Sequence, residues 1–168
     1  MKPYVTSFED LFGFGMKREL GRLHPEPDGT VLNLGSGDFA FEDAINLDQP
    51  SWRAPMLRDF DDKSVAVVHA YHFLEHLTSS NVYRMLEEIE RVLRPAGVFY
   101  YCVPWSPSAI AYSTIDHQTF WTEEWMPRIL ENRGYTHFKD KWELKLTYQV
   151  IAGVASQNLA VLGQLLKE

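Results

Sequence analysis

The chain has 168 residues, 45% of them hydrophobic, a formal net charge of -7 and a single cysteine, Cys102. That length and apolar share suffice for one core, and no run of about 18 apolar residues is present to span a membrane. A lone thiol forms no internal disulfide, as fits a reducing cytoplasm. The acidic balance and the lack of a dense Lys/Arg run argue against a broad phosphate-binding face, so duplex DNA is not an expected partner.

In chain order, residues 1–25 form an N-terminal segment in which Ser7 to Leu23 carry a helical pattern broken at Gly13 and Gly15. Its start, MKPYVTSFEDLF, has no apolar core of signal-peptide length, so export is not expected. VLNLG (31–35) then reads as a strand ending in glycine, and AINLD (44–48) as a second. A short third segment ends at Asp59-Phe60, and SVAVVHA (64–70), rich in β-branched residues, is the next strand. In NVYRMLEEIERVL, Val82, Leu86, Ile89 and Leu93 recur at helical spacing until Pro95 and Gly97 stop the helix. GVFYYCV (97–103) is a further strand, and Pro104 to Trp121 show little regular pattern. A helix is expected from Thr122, its N-cap, to Gly134. The tail from about Tyr135 gives two more strands with a turn near Ser156-Gln157-Asn158. Strands separated by helices predict an α/β fold, a mostly parallel sheet covered on both faces. There is no repeat or linker, so residues 1–168 are read as one domain with its core over 30–168.

In such sheets ligands bind at the carboxyl ends of the strands, and the candidate motifs all fall there. The first strand ends in Gly35-Ser36-Gly37-Asp38, where glycine lets the backbone turn sharply and approach a ligand. The second ends in Asp48, whose carboxylate can accept hydrogen bonds from both hydroxyls of a ribose. The strand over 64–70 delivers Ala70-Tyr71-His72.

These blocks, VLNLGSG, INLD, DFDDKSVAVVHAYHFLEHL, EEIERVLRPAGVFYYCVP and DHQTFWTEEWMPRILENRGY, occur in an order that resembles the class I S-adenosylmethionine-dependent methyltransferases, in particular their small bacterial and phage-like branch. The resemblance covers roughly residues 30 to 135. It implies a Rossmann-like fold, S-adenosylmethionine as cofactor, and methyl transfer as the activity. It also implies that Gly35 and Gly37, with Ser36 between them, flank the methionine part, that Asp48 holds the ribose, and that Asp59 accepts the adenine amino group with Phe60 beside the ring. Tyr71 and His72 would border the cofactor. Asn33 stands where many members carry an acidic residue; its amide oxygen still accepts a hydrogen bond. Phe39 stands where many have a third glycine.

Six residues lie between Gly37 and Ala44, fewer than a crossover helix needs. The first helix is therefore expected to be a single turn or absent, and Asp48 and Asp59 are likewise too close to flank one. A nicotinamide site would suffer, because its pyrophosphate rests on that helix N-terminus. S-adenosylmethionine has no phosphate and tolerates the loss.

HFLEH (72–76) also reads H-x-x-E-H, a zinc signature of one metallopeptidase group. That signature belongs inside a long helix, whereas here a hydrophobic strand runs straight into it and Thr78-Ser79-Ser80 follows. The stretch reads as a strand end plus one helical turn, with Glu75 and His76 a hydrogen-bonded brace and no metal required. Glu87, Glu88 and Glu90 are the available third ligands for a zinc hydrolase, the remoter alternative.

The stretch 104–121 is too long for a plain connection and carries Trp105, Tyr112, Asp116, His117, Phe120 and Trp121. Methyl transfer asks the protein to place the acceptor and take its proton. His117, with Asp116 beside it, and His72 are the candidate catalytic groups; the alternative for the loop pair is an ordering role. His24, His69 and His137 read as surface or packing residues. No Asp/Asn-Pro-Pro-aromatic motif of a DNA amino-methylase follows His69-Ala70, so the expected acceptor is a small molecule or a sugar. A non-catalytic scaffold that keeps the cofactor site is the main rival, favoured by Asn33, Phe39 and the short first crossover.

Overall fold

A computed structural model of the protein describes residues 28–38, 40–106, 108–122, 124–131, 142–152 and 158–167. Six strands form one sheet in the order β2-β1-β3-β4-β6-β5: β1 (Thr30–Leu34), β2 (Ile45–Leu47), β3 (Val65–Tyr71), β4 (Leu93–Pro104), β5 (Trp142–Ala152) and β6 (Asn158–Lys167). The first four are parallel, and β6 runs antiparallel between β4 and β5. The helices among the described residues are α1 (Ser79–Val92), α2 (Ala109–Ser113) and α3 (Trp125–Glu131), with a 3-10 turn at Leu74–His76.

The burial follows from the pairing. β3 has strands on both sides and is buried at all seven positions, which is why its sequence is apolar apart from His69 instead of alternating. One core cluster takes alternate sheet residues (Leu32 and Leu34, Val68 and Ala70, Phe99, Tyr101 and Val103) against Val82, Met85, Leu86 and Ile89 of α1 and Met126 and Ile129 of α3. α1 starts where Thr78 accepts a hydrogen bond from the Asn81 amide at 3.3 Å. It ends at Val92, earlier than Pro95 and Gly97 suggest, because Leu93 already pairs with Val65 as the first residue of β4. The last turn is held from below: the Lys167 ammonium donates to the Glu90 and Leu93 carbonyls at 2.5 and 2.9 Å.

Two expectations are corrected. The third segment ending at Asp59-Phe60 is not a strand. Residues 51–64 are turns and irregular chain, so β2 is the sheet edge next to β1. The helix read as Thr122 to Gly134 is shorter at its start: it opens at Trp125, whose amide bonds the Thr122 carbonyl at 3.1 Å, and residues from 132 lie outside the description. The missing first helix is borne out, since the described residues of 35–44 are turns and bends. The N-terminal helical segment, Phe39, His24, His137 and the turn at Ser156-Gln157 lie outside the described residues.

Candidate active site

The carboxyl ends of β1 and β2 are stitched together by backbone. The Gly35 amide donates to the Leu47 carbonyl at 2.8 Å, and the Gly37 amide donates to the Asp48 carboxylate at 2.6 Å. The same carboxylate accepts from the Gln49 amide at 2.8 Å. Asp48 is thereby fixed at the tip of β2, facing the glycine loop, although no helix follows that loop among the described residues. Asn46 does part of the missing helix's work. Its side chain bonds Phe41 through both amide and carbonyl and accepts from Asn33 at 2.9 Å. Asn33 is buried within β1 at 3% exposure, its amide engaged by β2.

The two glycines differ in what demands them. Gly35 has φ +62° and lies under the Phe73 ring, which a Cβ would meet at 2.4 Å. Gly37 has φ +47°, and a Cβ there would meet only the Asp48 carboxylate, at 3.8 Å. Gly35 is thus required by packing, while among the described residues the space over Gly37 is an open cradle beside an anchored carboxylate. That cradle, with an acceptor-only carboxylate on its wall, fits a ribose and its neighbouring chain. Ser36 lies between them, 7% exposed.

The chain at 57–62 is held by α1. Arg91 donates to the Leu57 and Phe60 carbonyls at 2.9 Å each, to Asp62 at 2.8 Å and to Glu88 at 2.9 and 3.0 Å. Glu88 in turn accepts from the Leu57 amide at 3.0 Å. The Arg91 hydrogen bond, helped by Arg91's charge, holds the Glu88 carboxyl below its ordinary range despite partial burial. Asp59 and Phe60 sit on this pinned loop, Asp59 exposed and Phe60 partly buried against the core. Trp52 and Phe73 contact each other at 5.8 Å between centroids, on the side of Gly35.

At the end of β3, Tyr71 is buried and its hydroxyl bonds His69 Nδ1 at 2.8 Å. His69 is a packing residue, as its sequence position suggests: it is fully buried and stacks on Tyr100 at 5.2 Å. His72 takes φ +50°, a left-handed conformation that breaks the strand abruptly, and its amide is tied to the Cys102 carbonyl at 2.8 Å. Its ring lies between Glu75, 3.3 Å from Nδ1, and the Cys102 thiol, 3.6 Å from Nε2. Burial opposes charge on this imidazole, but Cys102 and Glu75 outweigh it and hold His72 well above the ordinary histidine range.

HFLEH is therefore a strand end plus a 3-10 turn, not the helix that the H-x-x-E-H signature needs, and His72 and His76 do not share a helical face. Its Glu75 is the brace. The Glu75 carbonyl accepts from the Gln118 and Thr119 amides at 2.7 and 3.1 Å, the His76 carbonyl accepts from the Gln118 side chain at 2.7 Å, and the Thr119 hydroxyl donates to the Leu74 carbonyl at 3.2 Å. These bonds lay the stretch 114–121 along the turn.

That docking changes the partner of Asp116. Its carboxylate does not orient the neighbouring His117; it reaches His76 Nδ1 at 3.1 Å. His117 Nδ1 instead bonds the Ala111 carbonyl at 2.9 Å, and the His76 and His117 rings meet edge to face at 4.9 Å. The stretch read as irregular also contains the short α2, and the exposed Tyr112 and Phe120 rings stack at 4.8 Å. Sequence reasoning missed the roles of Asn46, Arg91 and Cys102. The Glu88–Arg91 spacing is a visible helix pair, but its targets near residue 60 are not.

The family described as "Methyltransferase domain" matches residues 43–101, from just before β2 into β4. Comparison with curated proteins gives no match. Among solved structures, an S-adenosylmethionine-dependent methyltransferase from Archaeoglobus fulgidus is similar at 16% identity and TM-score 0.60, over 91% of this chain and 93% of that one. One from Aquifex aeolicus is similar at 15% identity and TM-score 0.63, over 94% and 90%. The protein in complex with the Haloferax volcanii Trm112 methyltransferase activator is similar at 18% identity and TM-score 0.64, over 90% and 87%. The fold is that of class I S-adenosylmethionine-dependent methyltransferases, and the domain match supports methyl transfer with S-adenosylmethionine as cofactor. The scaffold and zinc-hydrolase alternatives are not favoured.

Proposed function

We propose that this S-adenosylmethionine-dependent methyltransferase acts on a hydroxyl or amine of a small-molecule or sugar-type acceptor. The observation that carries the reading is the open cradle over Gly37 walled by the anchored Asp48 carboxylate. The cofactor supplies, when bound, an electrophilic methyl group on a sulfonium. Gly35, Ser36 and Gly37 present backbone to its methionine part, Asp48 accepts from its ribose hydroxyls, and Asp59 and Phe60 offer a carboxylate and a ring edge to its base. Asn33 and Tyr71 support the strand ends from within the sheet. Burial opposes charge on His72, but Cys102 and Glu75 push its imidazole toward the charged form, so it can offer a hydrogen bond where it borders the cofactor.

Proton removal falls to His117. With its Nδ1 hydrogen donated to the Ala111 carbonyl, Nε2 keeps the lone pair that a general base needs. Asp116 helps indirectly, by fixing His76 against the His117 ring. The stacked Tyr112 and Phe120 give the acceptor a flat apolar surface in the same stretch of chain, suited to a sugar ring. Mass spectrometry across a panel of sugars, alcohols and amines with S-adenosylmethionine tests this. A methylated sugar or small hydroxyl or amine product is expected. Cofactor binding by calorimetry with no product from any such acceptor would overturn the acceptor class.

A further inference from the structure

The turn at 74–76 and the loop at 114–121 bring together three metal-ligating side chains that the methyl-transfer reading leaves partly unexplained. Glu75, His76 and His117 each place one ligand atom within 4.8 Å of the other two. Glu75 is 1% exposed; His72 Nδ1 faces its Oε1 at 3.3 Å, while Oε2 has no hydrogen-bond partner among the described residues. A buried carboxylate without a full set of donors is costly unless a cation completes it.

The histidines are prepared in the way metal ligands are. A ligating imidazole usually gives its other ring N–H to a carboxylate or backbone carbonyl, which fixes the tautomer. Here His76 Nδ1 faces the Asp116 carboxylate at 3.1 Å and His117 Nδ1 faces the Ala111 carbonyl at 2.9 Å. Both rings then carry their lone pair on Nε2. Hydrogen bonds from Gln118, Thr119 and the Gln118 side chain already lock the two segments together, so the donors do not have to be gathered from a mobile chain.

We propose that Glu75, His76 and His117 form a binding site for a divalent transition metal such as Zn2+, with Asp116 as its positioning residue. Two imidazoles and one carboxylate suit Zn2+, Co2+ or Fe2+ and leave coordination positions for water; an ion there occupies the Nε2 lone pair of His117, so in the metal-bound form that imidazole does not act as the base. Bonds of about 2.1 Å require donor atoms within about 4.2 Å of one another, so the half-exposed rings close slightly on the ion. The ligand set is not that of H-x-x-E-H: His72 is turned to Glu75 and Cys102, and His117, from 41 positions beyond His76, takes its place.

The test is metal binding by the chelator-treated full chain with no cofactor or acceptor present, so its outcome is independent of methyl transfer. Co2+ is titrated by its d–d absorption and Zn2+ by calorimetry. One ion per chain is expected, with binding weakened at least about 100-fold in His117→Ala and about 10- to 100-fold in Asp116→Asn, the usual loss when a ligand's orienting partner goes. Asp116 is exposed, so Asp116→Asn keeps its fold and reads the site even if His117→Ala does not. Imidazole 15N spectra should place the ion on Nε2 of His76 and His117. Absence of stoichiometric binding, equal affinity in Asp116→Asn, or ligation by His72 in place of His117 would overturn the proposal.

Discussion

Asp48, a short side chain at the end of a three-residue strand, is the most heavily fixed group of the candidate cofactor site. Its two backbone partners leave further lone pairs for ribose hydroxyls, and hydrogen bonds to a charged acceptor are worth about 1.5–3 kcal/mol. Asp48→Ala is therefore expected to weaken S-adenosylmethionine binding by about 2–3 kcal/mol in calorimetry, with little change in the unliganded melting temperature. Equal affinity would remove Asp48 from the site. For His117→Ala, cofactor affinity should stay near the parent's while turnover on an identified acceptor falls about 10²- to 10⁴-fold; an unchanged rate would leave the loop a lid. His72 makes a pH-dependent contribution to stability. Its folded-state value is raised, so the contribution is full below the unfolded value of about 6.5 and is lost as pH rises through the folded value. Urea unfolding of the parent and His72→Gln should show a stability gap that narrows as pH rises. A gap that widens would mean the ring is held neutral.

α1 does two jobs with opposite faces. Its apolar stripe closes the core, while Arg91 and Glu88 fasten the chain at 57–62 in the place where a strand was expected. That loop has few ladder bonds of its own, so a side chain on a rigid helix substitutes for sheet pairing. Arg91→Ala would leave the Leu57 and Phe60 carbonyls and Glu88 without this donor. Because Arg91 is 30% exposed and water replaces part of the loss, a destabilisation of about 1–2 kcal/mol in urea unfolding is expected. Affinity for S-adenosylmethionine should fall as well, since Asp59 and Phe60 ride on the loop. Stability lost with affinity untouched would place the adenine elsewhere.

Across the whole sheet, protection follows position. β3 lies between β1 and β4 and is buried throughout, while β2 is a three-residue edge with β1 as its neighbour. Hydrogen exchange should therefore find β3 amides opening with the whole molecule and β2 amides opening locally at lower cost. Added S-adenosylmethionine should slow exchange at 35–37 and 45–48 and leave α1 nearly unchanged. Protection that appears along α1 and spares the glycine loop would move the ligand off the strand ends.

The alternation of β-branched runs with one amphipathic stretch was enough to place β1 to β4 and α1, because period and burial are local properties of the chain. Spacing alone also excluded a helix between Gly37 and Ala44, since a crossover has a minimum length. The register of Gly35, Gly37 and Asp48 at neighbouring strand ends was legible for the same reason: parallel strands deliver their carboxyl ends to one edge. Asp59 misled as a strand end because a loop whose Leu57 and Phe60 carbonyls are held by Arg91, 34 and 31 positions on, looks, in sequence, like a short strand. The pairing of Asp116 with His76, the demand on Gly35 from the Phe73 ring, and the meeting of Glu75, His76 and His117 were all invisible. The first and third depend on where the loop after β4 lands on the turn after β3, and the second on how Phe73, just before that turn, packs over the end of β1. Backbone amides of Gln118 and Thr119, which carry no residue identity, share that docking with the Gln118 and Thr119 side chains, whose backbone-carbonyl partners a sequence does not display.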